Sequence, residues 1–100
     1  MCGRYALNTP EKVAARFHVK ESVQPILPNL NAAPSQTMPV VAVDSVQLMR
    51  WGYIPSFWSE PLEELQRLST FNARAESLLK RAFYKKAIPS RRCIIPATSF

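Results

Sequence analysis

The chain has 100 residues, of which 47% are hydrophobic and ten are aromatic, which is enough apolar side chain for one small folded domain. No stretch approaches the ~20 apolar residues needed to cross a bilayer, and no signal-peptide pattern opens the sequence, so we expect a soluble, cytoplasmic protein that is not secreted. One histidine, two distant cysteines and two glycines argue against a metal site, a disulfide framework and a glycine-rich phosphate loop, so no cofactor is expected.

The net charge of +6 is concentrated in one part of the chain. Residues 1–50 contribute +2 and residues 51–100 contribute +4, and residues 74–92 alone hold seven Lys or Arg against a single acidic residue, Glu76. Such a block favours a polyanion as partner, because each cation that neutralises a phosphate releases condensed counterions. A solvated helix face that keeps a small domain in solution explains the charge alone equally well.

The first strongly patterned stretch predicts a helix over about 10–18. Thr9 can cap its N-terminus, Pro10 suits the first helical position, and the apolar residues at 13, 14 and 17 share one face. The short mixed stretch at 3–7 precedes this helix, and we expect it to be a strand.

A hairpin is predicted in the middle of the chain. Prolines at 25 and 28 predict a loop over 20–30, and Pro34 predicts that residues 31–36 continue it as an extended segment. Two β-prone runs follow, at 40–43 and 46–51, and flank the turn-like pair Asp44-Ser45. The chain is therefore expected to reverse direction at that pair.

Two short helices are predicted in the second half. A loop rich in aromatic residues covers 52–58, and Ser59 can cap an amphipathic helix over about 61–68. After an extended stretch at 71–74, a second helix is expected from near Ala75 towards Tyr84.

The last predicted element is a strand. The run Cys93-Ile94-Ile95 is apolar and is stopped by Pro96, which is typical of a buried strand, and Cys93 is then a buried small hydrophobic residue.

The N-terminus, Met1-Cys2-Gly3-Arg4, holds a candidate nucleophile. If Met1 is removed, Cys2 carries a free α-amine and a thiol on adjacent carbons. The amine forms a hydrolysable imine with an aldehyde, and the thiol can add to that imine and close a thiazolidine. With reference pKa values of about 8 and about 8.5, both nucleophilic forms exist near neutrality. The plain alternative is that Cys2 is only a small residue after the start methionine.

Two further groups of residues are candidates for a site. Asn72, Arg74 and Glu76 alternate, so in an extended segment an amide, a guanidinium and a carboxylate share one face. A capping and ion-pair network at the start of the next helix explains that spacing equally well. Trp58 together with Pro34 would offer two apolar wedges for unstacked bases, although an aromatic ring in such a loop more often packs in a core.

Five motifs taken together resemble the SOS-response-associated peptidase family, the abasic-site processing proteins. They are Met1-Cys2-Gly3-Arg4, Asn31-Ala32-Ala33-Pro34-Ser35-Gln36, the run from Met49 to Trp58, Phe71-Asn72-Ala73-Arg74-Ala75-Glu76-Ser77, and the run from Arg91 to Ala97. The resemblance covers nearly the whole chain and implies that residues 1–100 are the N-terminal part of a single, longer domain. It implies an α+β fold, with a mostly antiparallel or barrel-like β core and two or three short helices.

The resemblance also implies an enzyme that crosslinks to abasic sites in single-stranded DNA. In that family the cysteine that matches Cys2 attacks the ring-opened sugar aldehyde and forms a stable thiazolidine, and the asparagine that matches Asn72 positions the sugar. Arg4 and Arg74 match arginines that bind the flanking phosphates. Trp58 and Pro34 match residues against which the neighbouring bases pack.

One departure from the family pattern bears on the rate of that reaction. The pattern continues beyond Ala97 to an acidic residue and later to a histidine, and neither Glu76 nor His18 occupies those positions. A positioned general acid or base typically contributes ~10²–10⁴-fold, so three alternatives stay open without them: slow crosslinking, little reversal of the crosslink, or a chain too incomplete to fold alone. Two other functions stay open: a non-covalent single-stranded DNA-binding module, and an N-terminal-nucleophile peptidase in which Cys2 attacks an amide, including one limited to the removal of Met1. A monomer is expected if the domain is complete.

Overall fold

The computed structural model describes residues 3–100, and it divides into two compact units. The first, here called the strand unit, contains residues 3–51 and the returning segment Cys93–Phe100. The second, here called the helix unit, is Gly52–Arg92. None of the helices in residues 3–100 has the length and apolar character required to span a membrane.

The strand unit begins with the predicted short strand, β1, at Tyr5–Leu7. It pairs antiparallel with β2, Asn29–Ala32, and Tyr5 lies opposite Ala32. The extended segment predicted over 31–36 is only partly confirmed: β2 begins at Asn29, inside the predicted loop, and ends at Ala32, while residues 33–36 form a turn. Ala32 is fully buried.

A single helical segment connects these strands. A 3-10 turn over Pro10–Lys12 leads into α1, Val13–Phe17, which ends at His18 in the left-handed conformation (φ 54°). The predicted helix is confirmed, but the predicted Thr9 side-chain cap is wrong. Instead the Thr9 carbonyl accepts a hydrogen bond from the Lys12 N–H at 3.1 Å, which closes the first turn without the hydroxyl.

The hairpin consists of β3, Thr37–Ala42, and β4, Ser45–Arg50, paired antiparallel. The chain reverses one residue earlier than predicted, at Val43-Asp44, because Ala42 pairs with Ser45. Val43 takes a positive φ of 57° with its side chain 95% exposed. Asp44 forms an ion pair with Lys20 at 2.7 Å, and this hydrogen-bonded contact lowers the pKa of Asp44 and raises that of Lys20.

The returning segment is hydrogen-bonded to the rest of the strand unit at two points. Ile94 exchanges two backbone hydrogen bonds of 2.9 Å with Val41, and the Ser99 carbonyl accepts the Ala6 N–H at 2.8 Å. The predicted buried strand is wrong: Ile94 makes only an isolated bridge, Ile94 and Ile95 are each 50% exposed, and Cys93 is an exposed free thiol. Pro96 limits this pairing, since it lacks an N–H and restricts Ile95.

The core of the strand unit lies between β1, α1 and the hairpin. Its buried side chains are Tyr5, Leu7, Val13, Ala14, Ala32, Met38, Val41 and Val46, with Phe17, Val19, Ile26 and Trp51 packed partly against them. The predicted apolar face of α1 is therefore the face that is buried.

The helix unit has three short helices: α2 at Leu62–Gln66, α3 at Ala75–Leu78 and α4 at Ala82–Lys85. Pro61 rather than Ser59 precedes α2, so the predicted Ser59 cap is wrong, and Leu65 is the buried residue of that helix. The single helix predicted from Ala75 towards Tyr84 is two helices, because Arg81 is extended (φ −78°, ψ 120°) and interrupts it. With four α-helices and two antiparallel sheets in residues 3–100, the α+β fold class is confirmed.

Candidate functional site

In the strand unit, Arg4 is held beside β2. Its Nη1 donates a hydrogen bond of 3.0 Å to Oδ1 of Asn31, and the rest of the side chain is exposed. A shallow cavity of about 190 Å³ lies here, lined by Arg4, Tyr5, Ala6, Leu30, Asn31, Ser99 and Phe100. Met1 and Cys2 lie outside the described residues, so the structure describes only Gly3 and Arg4 of the N-terminal motif.

The predicted wedge Pro34 is half-buried in a well-anchored turn. Ser35 has a positive φ of 76°, and its N–H donates to the Trp51 carbonyl at 2.9 Å. The Trp51 N–H donates in return to the Gln36 carbonyl at 2.8 Å. These two bonds attach the turn to the end of the hairpin, so Pro34 lies in a turn whose backbone is held in place.

The side chain of Gln36 closes the same turn from inside. Its Oε1 accepts the Ala33 N–H at 3.0 Å and Nδ2 of Asn29 at 3.1 Å. The motif from Asn31 to Gln36 therefore has a structural explanation, in which the glutamine replaces the backbone partners that a turn lacks.

In the helix unit, Asn72 and Arg74 line one cleft of about 520 Å³. The other lining residues are Leu68, Ser69, Phe71, Ala73, Arg81 and Tyr84. Asn72 is half-buried, whereas Arg74 and Arg81 are exposed. The extended stretch predicted at 71–74 thus brings the amide and the guanidinium to the same cleft, while Glu76 lies in α3 and is not among its lining residues.

Arg74 is positioned by the start of α3. It is extended (φ −80°, ψ 131°), and its carbonyl accepts hydrogen bonds from the N–H of Ser77 at 3.2 Å and from its Oγ at 3.3 Å. The Arg74 side chain does not cap α3, so the capping role that the spacing also allowed is not found for Arg74. The bonds at the start of this helix come from Ser77 and involve only the backbone of Arg74.

The charge of this cleft is positive. Arg74 and Arg81 both line it, and none of the described lining residues is acidic. A cleft with one sign of charge concentrates ligands of the opposite sign. Sequence reasoning assigned Arg81 to the basic block but missed its place beside Asn72, which depends on the break between α3 and α4.

Tyr84 connects the cleft to an aromatic cluster. The ring of Tyr84 lies 5.4 Å from that of Tyr53 and 5.1 Å from that of Phe83, and Phe57 lies 6.1 Å from Phe83. Phe57 is 59% exposed, so it presents an aromatic surface on which a base can stack. The sequence signal for Phe57 is its position next to Trp58 in the same loop.

Trp58 is packed more deeply than its neighbour. It is half-buried, its backbone N–H donates to the Pro55 carbonyl at 3.0 Å, and Nε1 is buried with no hydrogen-bond partner among residues 3–100. A buried indole N–H normally finds an acceptor. Its role in binding stays a prediction.

Comparison with known proteins identifies the family. The family described as "SOS response associated peptidase (SRAP)" matches residues 1–100. The chain belongs to the SRAP family. This confirms the family suggested by the five motifs.

Relatives of this SRAP chain include proteins named for abasic sites. The abasic site processing protein YoqW of Bacillus subtilis is 34% identical over 107 positions, covering 100% of this chain and 46% of YoqW. The abasic site processing protein HMCES of Xenopus tropicalis is 30% identical over 86 positions, covering 73% of this chain and 26% of that protein. The chain thus spans about half the length or less of these relatives.

A solved crystal structure has a similar fold. A protein from Bacteroides thetaiotaomicron superposes with a TM-score of 0.81 at 28% identity, over 97% of this SRAP chain and 46% of its own. The fold described above is therefore shared with a solved protein of about twice the length.

In residues 3–100 no group of three or more His, Cys, Asp or Glu is arranged to hold a metal ion.

Proposed function

We propose that this SRAP chain recognises abasic sites in single-stranded DNA and becomes covalently linked to them through Cys2. The observation that carries the proposal is the cleft in which Asn72 lies with Arg74 and Arg81 and without an acidic residue. An amide and two guanidiniums are suited to a sugar flanked by phosphates. The names of the relatives, abasic site processing proteins, support the same substrate.

The proposed reaction requires that Met1 is removed. The α-amine of Cys2 adds to the C1′ aldehyde of the ring-opened deoxyribose, and loss of one water gives an imine. The thiol then adds to the imine carbon, forming the C–S bond, and its proton is transferred to the nitrogen. The product is a thiazolidine, with one water released overall and no oxidant or reductant consumed.

The remaining residues have binding roles in this proposal. Asn72 holds the opened sugar, and Arg74 and Arg4 bind the phosphates on either side of it. Trp58 and Pro34 pack against the neighbouring bases, so the strand must be unpaired at the lesion. The chain acts as a monomer, in the compartment that holds the cell's DNA.

The experiment is to mix the processed protein with a single-stranded oligonucleotide carrying one abasic site and to follow adducts on a denaturing gel. We expect an adduct that survives denaturation without borohydride, with the summed mass of protein and DNA minus one water. Cys2→Ser should give only an imine, which is lost on denaturation unless borohydride reduces it. Intact mass measured beforehand establishes that Met1 is absent.

Cys93 supplies a matched control for the thiol. It is exposed and free, so Cys93→Ser removes an accessible cysteine elsewhere in the chain and should leave the adduct unchanged. An undiminished stable adduct with Cys2→Ser would exclude the thiazolidine.

One alternative has a structural observation behind it. The basic residues of 74–92 are all exposed, which also fits a module that binds single-stranded DNA without reaction. Salt-dependent binding that is indifferent both to the lesion and to Cys2→Ser would establish this alternative. The peptidase alternative instead predicts release of Met1 by the purified chain itself.

A further inference from the structure

We propose that Asn31 is a positioning residue for Arg4, whose guanidinium it holds in the orientation that binds a DNA phosphate. The inference rests on the proposed function, since Arg4 precedes β1 and follows Cys2 by two residues. Asn29 and the motif from Asn31 to Gln36 supply both the hydrogen bonds that hold Arg4, here called the tether, and the attachment of those bonds to the core.

The tether is a chain of hydrogen bonds within the strand unit. Nη1 of Arg4 donates to Oδ1 of Asn31 at 3.0 Å, and the Asn31 N–H donates to Oδ1 of Asn29 at 2.9 Å. Nδ2 of Asn29 in turn donates to Oε1 of Gln36 at 3.1 Å. Arg4 is thereby linked, through three polar side chains, to the turn that carries Pro34.

The Gln36 end of the tether is attached to the strand unit by further hydrogen bonds. Oε1 of Gln36 also accepts the Ala33 N–H at 3.0 Å, and the Gln36 backbone is bonded to Trp51. Asn29 makes a further contact of 3.5 Å with Sδ of the buried Met38. An exposed arginine, which would otherwise sample many rotamers, is therefore held by residues that are attached to the core.

The chemistry of asparagine suits this task better than that of aspartate. A guanidinium has five N–H donors, and the bond to Asn31 uses one of them, so the others can reach a phosphate. Because the amide is neutral, it orients Arg4 without cancelling its charge. A carboxylate at the same position would form an ion pair and compete directly with the phosphate.

In the proposed function, Arg4 binds a phosphate beside the lesion, so its position affects where the lesion lies. Positioning of reacting groups contributes strongly to rate, and a small misplacement far from the chemistry can be costly. The loss of one hydrogen bond of this type should lower the crosslinking rate at sub-saturating DNA by about 2- to 10-fold. The intrinsic reactivity of Cys2 towards a small aldehyde should not change.

The test compares Asn31→Ala with Asn8→Ala. Asn8 is an exposed asparagine that follows β1. Its backbone N–H, rather than its side chain, donates a hydrogen bond to Oγ1 of Thr98. Crosslinking to abasic single-stranded DNA should slow only in Asn31→Ala, while thiazolidine formation with free glyoxylate proceeds equally in all three proteins. Adding Asn31→Ala to Arg4→Ala should produce no further loss, since Asn31 acts through Arg4.

Three outcomes overturn the inference: an unchanged rate in Asn31→Ala, an equal loss in Asn8→Ala, or an undiminished effect of Asn31→Ala in the Arg4→Ala background. A second measurement does not require the reaction. The ¹⁵N order parameter of the Arg4 Nε–H should fall in Asn31→Ala and not in Asn8→Ala. If the wild-type chain forms no adduct, the proposed function fails, and the order parameter alone then decides whether Asn31 holds Arg4.

Discussion

The ring of Tyr5 lies 5.2 Å from that of Trp51, tilted by 52°. Tyr5 belongs to β1, directly after Arg4, whereas Trp51 follows β4 and is bonded through its backbone to Ser35 and Gln36. This single pair of rings therefore joins the N-terminal strand, the hairpin and the turn of Pro34. Its loss should affect stability and the proposed binding surface together.

We expect Trp51→Ala to lower the free energy of unfolding by about 2–4 kcal/mol, because it removes a half-buried ring packed on the core and its contact with Tyr5. Urea unfolding followed by circular dichroism measures the change without relying on tryptophan fluorescence. Phe100→Ala is the control: its ring is 98% exposed, so its effect should stay within about 0.5 kcal/mol. Equal effects of the two substitutions would contradict the packing described for Trp51.

Tyr5 should also make stability depend on alkaline pH. Burial raises the pKa of its hydroxyl above the usual value of about 10, because the ionised form is poorly solvated. The folded protein then retains a proton that the unfolded chain releases, so the contribution is complete below about pH 10 and is lost as pH rises towards the folded-state pKa.

Tyr5→Phe removes this contribution. The difference in unfolding free energy between wild type and Tyr5→Phe should be constant below about pH 10 and should shift in favour of the variant above it. Guanidinium titrations at pH 7, 9 and 11 test this. Parallel pH profiles of the two proteins would show that the hydroxyl ionises alike in both states.

The hairpin turn offers a stabilising substitution. Val43 is β-branched, has a φ of 57° and is 95% exposed, so it bears backbone strain without a packing benefit. Val43→Gly should raise the free energy of unfolding by about 0.5–1 kcal/mol, after the greater entropy of glycine in the unfolded chain is subtracted.

Val23→Gly is the matched control for that prediction. Val23 is also fully exposed but is not among the residues with positive φ, so the glycine should bring no gain there. Chemical unfolding of both variants distinguishes relief of strain from a general effect of removing a valine. A gain of the same size at both positions would exclude the strain.

The basic residues around α4 should set the salt dependence of DNA binding. We expect the double variant Lys85→Gln/Lys86→Gln to make the plot of log K against log salt concentration shallower by about 1.4, since each phosphate contact on a single strand contributes about 0.7. Fluorescence anisotropy with an unmodified oligonucleotide measures the slope. Lys12→Gln/Arg16→Gln removes the same charge from the strand unit and should leave the slope close to that of wild type.

Local patterns predicted local structure well. The helix at Val13–Phe17 and the β3–β4 hairpin follow from apolar periodicity and β-prone runs, which act over a few residues. The turn lies one residue earlier than predicted. It could not be placed from the sequence because Val43 has a positive φ, which valine rarely adopts. In the same way, no glycine or proline marks the extended Arg81 that separates α3 from α4.

Non-local structure was harder to predict. The run Cys93-Ile94-Ile95 has the composition of a buried strand, but burial depends on what packs against it, and only Ile94 bonds to β3. For the site, adjacency in sequence was enough to place Asn72 beside Arg74. The approach of Arg81 and Tyr84 to the same cleft depends on how two short helices follow each other, which residue spacing does not encode.

The contacts between the two ends of the strand unit bear on the order of events during synthesis. The Oγ1 of Thr98 donates to the Ala6 carbonyl at 3.0 Å, and these residues are 92 positions apart. Such a contact forms late in folding, because the intervening residues must first be synthesised and ordered. On the ribosome the first residues emerge long before Thr98, so an aminopeptidase meets a nascent N-terminus whose strand β1 is not yet locked in place. The removal of Met1 on which the proposed nucleophile depends can thus be completed before Thr98 is bonded to Ala6.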